Sequence, residues 1–248
     1  FNKESVRWLG DSTLNQLIRV HLKKPKILDI GCGIGGLIYA LSPKAKHYTG
    51  ISISPAEIVT AQRLADAHKL IDMHRSIKFQ QTHLDEFLNT TTSTYDAIVA
   101  VESLSIAGLE IPRLAKLLER GGKLIVVEDV KQHADVTNAT TRVHLTHGQW
   151  KKLFNDNGFS VDVSRDMGLE FSMPEILPES SPMLTIPLPE GVLESLLSLM
   201  ERVVSYPTFS RMVQLFHNVL EEDDRPERYG SGDYMYVMYV CTKLSGSR

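Results

Sequence analysis

Short apolar runs alternate along the chain with stretches in which apolar residues recur every three or four positions. The runs have the length of buried strands, and the spaced stretches are typical of amphipathic helices. Strands are predicted at residues 27–30, 47–53, 76–80, 95–101, 122–129, 159–166 and 233–243, and the main helices at 37–41, 54–70, 111–120 and 148–157. Because strands and helices follow each other in turn, we expect a parallel sheet covered by helices.

Two segments stand apart from this alternation. Residues 1–24 carry an apolar helical stripe, which predicts an N-terminal helical cap. Residues 170–232 begin with a proline-rich stretch and continue as two apolar helical stretches, and residues 170–233 hold 12 acids and 4 arginines, a net charge of −8. An insertion between the last two strands lies above the crevice of such a sheet, so a helical lid is predicted at 170–232. The four acids at 221–224 are typical of a solvated face, with Mg²⁺ or a cationic ligand as the alternative.

The composition is that of a soluble globular protein, with 42% hydrophobic and 23% charged residues in a chain of 248. We therefore expect one domain over residues 1–248, and no apolar run approaches the ~20 residues that cross a bilayer. Two cysteines, Cys32 and Cys241, favour a reducing compartment, so a cytoplasmic location is expected. The net charge of −3, without any basic run interleaved with aromatic residues, argues against a nucleic-acid partner.

The stretch KILDIGCGIG, residues 26–35, predicts a strand, a tight turn and the start of a helix. Glycine lets a ligand approach the backbone closely, and the N–H groups at a helix start favour an anion. Gly31, Gly33 and Gly36 also fit the G-x-G-x-x-G pattern of dinucleotide-binding turns. However, Asp29 is a buried acid just before the first glycine, and it suits a ligand that has an ammonium group beside a carboxylate.

This stretch resembles motif I of the class I S-adenosylmethionine (AdoMet) dependent methyltransferases, L-D-x-G-C-G-x-G. Residues 50–57, GISISPAE, are similar to the segment G-[ILV]-[TS]-[LI]-S-x-x-Q of the tocopherol, sterol and cyclopropane-fatty-acid synthase branch, and residues 118–124 resemble the motif L-x-x-G-G-x-L. The resemblance implies a Rossmann-like, doubly wound α/β sheet of seven strands with the last strand antiparallel. It also implies AdoMet as the cofactor, with S-adenosyl-L-homocysteine as the product.

At the end of the second strand this fold usually has an acid for the ribose hydroxyls, and here that position is Ser52. A serine contributes a neutral hydrogen bond instead of a charged one. Ser54 is the predicted N-cap of the following helix, and Glu57 stands where the tocopherol branch has glutamine.

The resemblance places the adenine near residues 82–88, where His83 replaces the usual acid and Leu84 is expected to cover the ring. Glu102, after the fourth strand, should face the methyl donor or the acceptor. The histidine that tocopherol-type enzymes carry four residues later is Ile106 here. The predicted cofactor contacts are Asp29, Gly31, Cys32, Gly33, Ser52, Ile53, His83, Leu84 and Glu102.

Three residues are candidates for a catalytic base: Glu102, His133 and Asp166. A base is needed only if the acceptor atom must lose a proton. His144 and His147 lie three residues apart, but no cysteine or acid cluster completes a zinc set, so no metal site is predicted.

The function predicted from the sequence is methyl transfer from AdoMet to a small, largely apolar metabolite, at carbon, nitrogen or oxygen. One alternative is C-methylation of a prenyl diphosphate, for which Mg²⁺ would bridge the diphosphate to acids. Two functions of a different class also remain open, a nicotinamide-dependent oxidoreductase and a catalytically silent AdoMet-binding module.

Overall fold

The computed structural model describes residues 18–22, 26–41, 45, 47–67, 76–133, 144–167 and 234–245. Its centre is a seven-stranded sheet in the order β3-β2-β1-β4-β5-β7-β6. The first five strands are parallel, and β7 runs antiparallel between β5 and β6. The α/β fold predicted from the sequence, with the last strand antiparallel, is therefore confirmed. The strands are β1 Lys26–Ile30, β2 His47–Ser52, β3 Ser76–Gln81, β4 Tyr95–Val101, β5 Leu118–Lys131, β6 Phe159–Asp166 and β7 Tyr234–Lys243.

Helices connect the parallel strands. They are α1 Gly36–Leu41, α2 Pro55–Ala67, α3 Leu84–Thr90, α4 Leu104–Ala107, α5 Ile111–Leu117 and α6 His147–Asp156. Helix α2 begins as its sequence predicts, because the Ser54 hydroxyl accepts the N–H of Glu57 at 3.3 Å. Helix α6 begins with a capping box between Thr146 and Gln149. The single turn α4 was not predicted.

The core lies on both faces of the sheet because alternate strand residues point to opposite sides. The first face is lined by residues such as Val99, Val127 and Tyr236. The second face is lined by residues such as Ala100 and Val126, with Tyr239 beside them, and helix α6 packs there through Trp150 and Phe154. The central strands β1, β4, β5 and β7 are thus fixed in register by burial on two sides.

The helix predicted at residues 111–120 is wrong at its end. Helix α5 stops at Leu117, and Leu118 is extended and pairs with Tyr95 at the start of β5. Leu118 is buried in the core of the second face, which favours the strand over a further helical turn. The two glycines that follow lie at an irregularity in the β4–β5 register rather than at a helix end.

The predicted lid and most of the predicted cap lie outside the described residues. Residues 168–233 join β6 to β7, and residues 18–21 are the described part of the N-terminal segment and are helical. Among the described helices, none is both long enough and apolar enough to span a bilayer.

Candidate active site

The turn between β1 and α1 is fixed to the neighbouring strand. Gly31, Gly33 and Gly35 have φ angles of 71°, 52° and 83°, which L-residues adopt at a cost. The N–H groups of Gly31 and Cys32 both donate to the carbonyl of Ile51 at 2.9 and 3.0 Å. The turn is therefore held at the carboxyl ends of β1 and β2, where open α/β sheets bind ligands.

These hydrogen bonds limit where the turn can bind an anion. The N–H groups of Gly31 and Cys32 are engaged by Ile51, and that of Gly35 donates to the Cys32 carbonyl at 2.9 Å. An amide that is satisfied within the protein is a poor donor to a ligand. Any anion contact from the backbone therefore falls on the later part of the turn.

Gly31 and Gly33 are glycines for different reasons. A Cβ at Gly31 would lie 2.6 Å from the Cβ of Ser103, which is closer than atoms can approach. A Cβ at Gly33 would meet no atom of the described residues within 4 Å. Gly31 thus permits packing between the turn and the end of β4, whereas Gly33 has no such close neighbour in the described part of the chain.

Asp29 and Cys32 are both buried next to this turn. The Tyr48 hydroxyl donates to Oδ2 of Asp29, and burial raises the pKa of Asp29 to about 6. Burial also raises the pKa of the Cys32 thiol far above its usual range. The Cys32 side chain fills the space that a Cβ at Gly50 would need, so its role at this position is packing.

The end of β2 holds an acid that the sequence analysis did not assign to the site. The Ser52 hydroxyl donates to Oε2 of Glu57 at 2.5 Å and accepts the N–H of Ser54 at 3.1 Å. The carboxylate of Glu57, from the first turn of α2, therefore lies beside the strand end where the fold usually has its acid. The G-x-x-x-S-x-x-Q pattern was a signal for this position, because Glu57 occupies the place of its glutamine.

The predicted adenine contacts differ in exposure. Ile53 is 56% exposed, and His83 is exposed at the N-cap of α3 without a capping hydrogen bond from its side chain. Leu84 is buried in the core of the second face, so its side chain is not available to cover a ring. What Leu84 offers the crevice is its backbone N–H at the helix start.

Glu102 has the most unusual backbone of the described residues. It is the one non-glycine residue among them with a positive φ, 50°. Its carboxylate accepts a hydrogen bond from the Tyr236 hydroxyl at 2.8 Å. The neighbouring Ser103 is structural, because its hydroxyl donates to the Ile30 carbonyl at 2.8 Å and joins the end of β4 to β1. Strain of this kind is common at functional sites.

The strain at position 102 predicts that glycine gives a more stable protein than alanine there, which is the reverse of their usual order in stability. Glu102→Gly should have a free energy of unfolding about 1 kcal/mol higher than Glu102→Ala, since glycine has no Cβ to clash at this φ. Both variants lose the Tyr236 hydrogen bond, so their difference isolates the backbone. Urea denaturation measures it, with the same pair of substitutions at Glu86 in α3 as the control, where alanine should be the more stable. Equal stability of the two Glu102 variants would contradict the strain.

A second buried acid anchors the start of α4, just after Glu102. Glu128 on β5 is 1% exposed, and its Oε1 accepts the N–H groups of Leu104 and Ser105 at 2.7 and 3.2 Å. Burial raises the pKa of Glu128 to about 7. Asp129 follows it on the first face, 5% exposed and directly opposite Tyr236 in register. The sequence analysis missed Glu128, Asp129 and Tyr236.

The raised pKa of Glu128 predicts how stability depends on pH. Between pH about 4.5 and about 7 the folded chain holds a proton on Glu128 that the unfolded chain has lost. The free energy of unfolding therefore declines as pH rises through this range. Glu128→Gln should show a shallower decline in urea denaturation at a series of pH values. Identical slopes in the two proteins would contradict the assignment.

The other two candidate bases do not join Glu102. His133 is exposed two residues beyond β5. Asp166 is exposed at the end of β6, the edge strand, which is three strands away from β4, or roughly 14 Å across the sheet. Within the part of the chain that the structure describes, no three His, Cys, Asp or Glu side chains gather as a metal site. The acids at 221–224 lie outside that part.

Part of this chain is similar in sequence to known proteins. Residues 27–124 match a family model described as a methyltransferase domain. The mitochondrial ubiquinone biosynthesis O-methyltransferase of Homo sapiens is 31% identical over 134 residues, which cover 50% of this chain and 35% of that protein. The corresponding protein of Xylella fastidiosa (strain 9a5c) is 31% identical over 111 residues, 44% of this chain and 43% of that protein. The chain thus spans less than half the length of these relatives.

A solved structure extends the likeness of the fold to almost the whole chain. Geranyl diphosphate C-methyltransferase from Streptomyces coelicolor A3(2), in complex with Mg²⁺, geranyl diphosphate and S-adenosyl-L-homocysteine, is similar with a TM-score of 0.64. The match covers 94% of this chain and 78% of that chain, at 14% sequence identity. At that identity the similarity concerns the fold.

Proposed function

The chain belongs to the class I AdoMet-dependent methyltransferases, and on that premise we propose that it transfers a methyl group from AdoMet to a small-molecule acceptor. One observation carries the proposal. The carboxyl ends of the neighbouring strands β2, β1 and β4 meet at the glycine turn, and the acids Asp29, Glu57 and Glu102 belong to these strand ends or are hydrogen-bonded to them. An acid-lined crevice beside a glycine turn fits a cationic ligand that contains an ammonium group and ribose hydroxyls.

The residues divide by the part of AdoMet that each would hold. Asp29 pairs with the ammonium group, and the backbone from Gly33 onward meets the methionine carboxylate. The carboxylate of Glu57, which the Ser52 hydroxyl holds in place, accepts hydrogen bonds from the ribose hydroxyls. Exposed Ile53 lies against the adenine, with the Leu84 N–H and the His83 side chain at its polar edge.

The ribose assignment makes Glu57 the stronger contact and Ser52 its support. Ser52→Ala should weaken AdoMet binding by roughly fivefold, the worth of one neutral hydrogen bond of about 1 kcal/mol. Glu57→Ala should weaken it by ten- to a hundredfold, because a charge-assisted contact to the hydroxyls is lost. Isothermal titration calorimetry measures both, with Asp66→Ala on the exposed side of the same helix as the control. A larger loss for Ser52→Ala than for Glu57→Ala would reverse the two roles.

AdoMet supplies a methyl group already activated by positive sulfur, so the protein's contribution is alignment, exclusion of water and, where needed, removal of a proton. Glu102 is the proposed base because it lies at the end of the central strand β4. His133 and Asp166 remain weaker candidates, since both are exposed and lie farther along the sheet edge.

We further propose that the acceptor is a medium-sized, largely apolar metabolite. Ile106, 55% exposed and four residues after Glu102, offers an apolar surface beside the base. The apolar helices predicted within residues 170–232 point to the same class of acceptor. The similar proteins are named for O-methylation in ubiquinone biosynthesis and for C-methylation of geranyl diphosphate, and both names concern small molecules with apolar parts.

The decisive experiment is turnover of AdoMet with a panel of amines, phenols and prenyl diphosphates, each with and without EDTA. We expect methylated product from at least one apolar acceptor. Activity that EDTA abolishes would assign the metal-bridged diphosphate reaction. Activity confined to a peptide or an RNA would overturn the small-molecule acceptor.

Binding measurements distinguish the methyltransferase from an oxidoreductase and from a silent binding module. A nicotinamide oxidoreductase would bind NAD(H) more tightly than AdoMet, and that result would overturn the proposal. A silent AdoMet-binding module would bind AdoMet and methylate nothing across the panel. The cytoplasmic location stays a prediction.

A further inference from the structure

The backbone of Glu102 determines which face of the sheet its side chain reaches. On β4, Val99 and Val101 pack on the first face, and Ile98 and Ala100 on the second. Strand alternation would send residue 102 after Ala100 to the second face. Glu128 is on that face, so two carboxylates would meet. The left-handed φ of 50° turns Glu102 away from this course.

On the first face the Glu102 carboxylate meets Tyr236. The phenol donates to Oε1 at 2.8 Å, and Tyr236 itself is 5% exposed. The backbone of Tyr236 is fixed on both sides, because it pairs with Asp129 of β5 and its carbonyl accepts the N–H of Met167, just after β6, at 2.6 Å. The hydroxyl is therefore a rigid donor at the carboxyl end of the strands.

We propose that Tyr236 is a positioning residue for methyl transfer, which holds the Glu102 carboxylate on the first face at the point where the methyl group is passed. The inference rests on the proposed function and adds a residue from the last strand to it. A hydrogen bond to a carboxylate is similar in size to the cost of a left-handed backbone. Without the phenol, Glu102 loses the hydrogen bond that favours the first face over the second.

The methyl transfer proposed at this position is a single displacement at the methyl carbon. The acceptor's electron pair forms the bond to the methyl carbon, the carbon–sulfur bond breaks, and its electrons stay on sulfur, giving neutral S-adenosylhomocysteine. The acceptor's proton passes to the Glu102 carboxylate and later to water. Tyr236 keeps its own proton throughout.

The test needs no acceptor. Sinefungin carries a C–NH₃⁺ group where AdoMet carries S⁺–CH₃, while S-adenosylhomocysteine has no charge there. The ratio of the two dissociation constants, measured by calorimetry, reports a carboxylate at the methyl position. We expect Glu102→Gln to lower the preference for sinefungin by about tenfold and Tyr236→Phe to lower it by at least threefold. The double variant should be no lower than Glu102→Gln alone.

Tyr239→Phe is the matched control. Tyr239 is a buried tyrosine of the same strand whose hydroxyl also makes one hydrogen bond, 2.8 Å to Nδ1 of His147, but on the second face. Its loss should reduce stability as much as Tyr236→Phe and leave the sinefungin preference unchanged. Equal preferences in wild type and Tyr236→Phe would overturn the inference while leaving the proposed function intact. Failure of the wild type to bind either ligand would overturn the proposed function itself.

Discussion

Gly33→Ala should fold and yet bind AdoMet at least a hundredfold more weakly than the wild type. Its Cβ would meet no atom of the described residues within 4 Å, so their packing around the turn does not resist it. The same Cβ would enter the crevice through which the methionine part of the ligand reaches the backbone. Alanine at a φ of 52° costs about 1 kcal/mol of stability, which leaves the chain folded.

The control for this variant is Gly121→Ala. Gly121 has a φ of 68°, and an added Cβ there would also meet no described residue within 4 Å. It lies near the start of β5, however, at the opposite end of the strands from Gly33. Both variants should lower the melting temperature by similar amounts, and only Gly33→Ala should lose AdoMet in calorimetry. Wild-type affinity in Gly33→Ala would show that the ligand does not approach the turn at this residue.

Glu102→Gln should reduce kcat by roughly a hundred- to ten-thousandfold with an acceptor that must lose a proton. The amide keeps the shape of the side chain and can still accept from Tyr236, but it cannot receive the proton. S-adenosylhomocysteine is neutral at sulfur, so its dissociation constant should change by less than about threefold. A large fall in kcat with a nearly unchanged dissociation constant for S-adenosylhomocysteine would show that Glu102 acts in the chemical step and not in binding.

Glu110→Gln, an acid in the loop between α4 and α5, is the control for this prediction, and its kcat should equal that of the wild type. Single-turnover measurements with the acceptor found in the panel would remove any contribution from product release. If kcat of Glu102→Gln stays within about threefold of the wild type, Glu102 is not the base, and His133 and Asp166 would be tested next.

Strand β4 was predictable because burial on two sides leaves a continuous apolar run, and its predicted bounds match the structure. The bounds predicted for the edge strand β6 also match, because its apolar and polar residues alternate. The end of α5 was not predictable from local propensity. Whether Leu118 continues a helix or begins a strand depends on its pairing with Tyr95, which is a tertiary contact.

The same distinction between local sequence pattern and tertiary contact applies to the residues of the site. The turn glycines, Asp29 and Ser52 belong to contiguous motifs and were visible in the sequence. Tyr236 lies 134 residues from Glu102 and meets it only because β7 inserts beside β5. Nothing in the sequence predicts a left-handed backbone at a glutamate, since that conformation is imposed by the surrounding fold.

Because the backbone at position 102 is left-handed, the residue that gives the highest thermal stability there differs from the residue proposed for catalysis. Glycine, and to a lesser degree asparagine, adopts a left-handed φ more readily than glutamate does. A library of this protein selected for thermal stability alone should therefore enrich glycine at position 102 and shed activity as it does so. Libraries intended to raise the thermal stability of the protein should keep Glu102 fixed and vary other positions, for example on the exposed faces of α2 and α6.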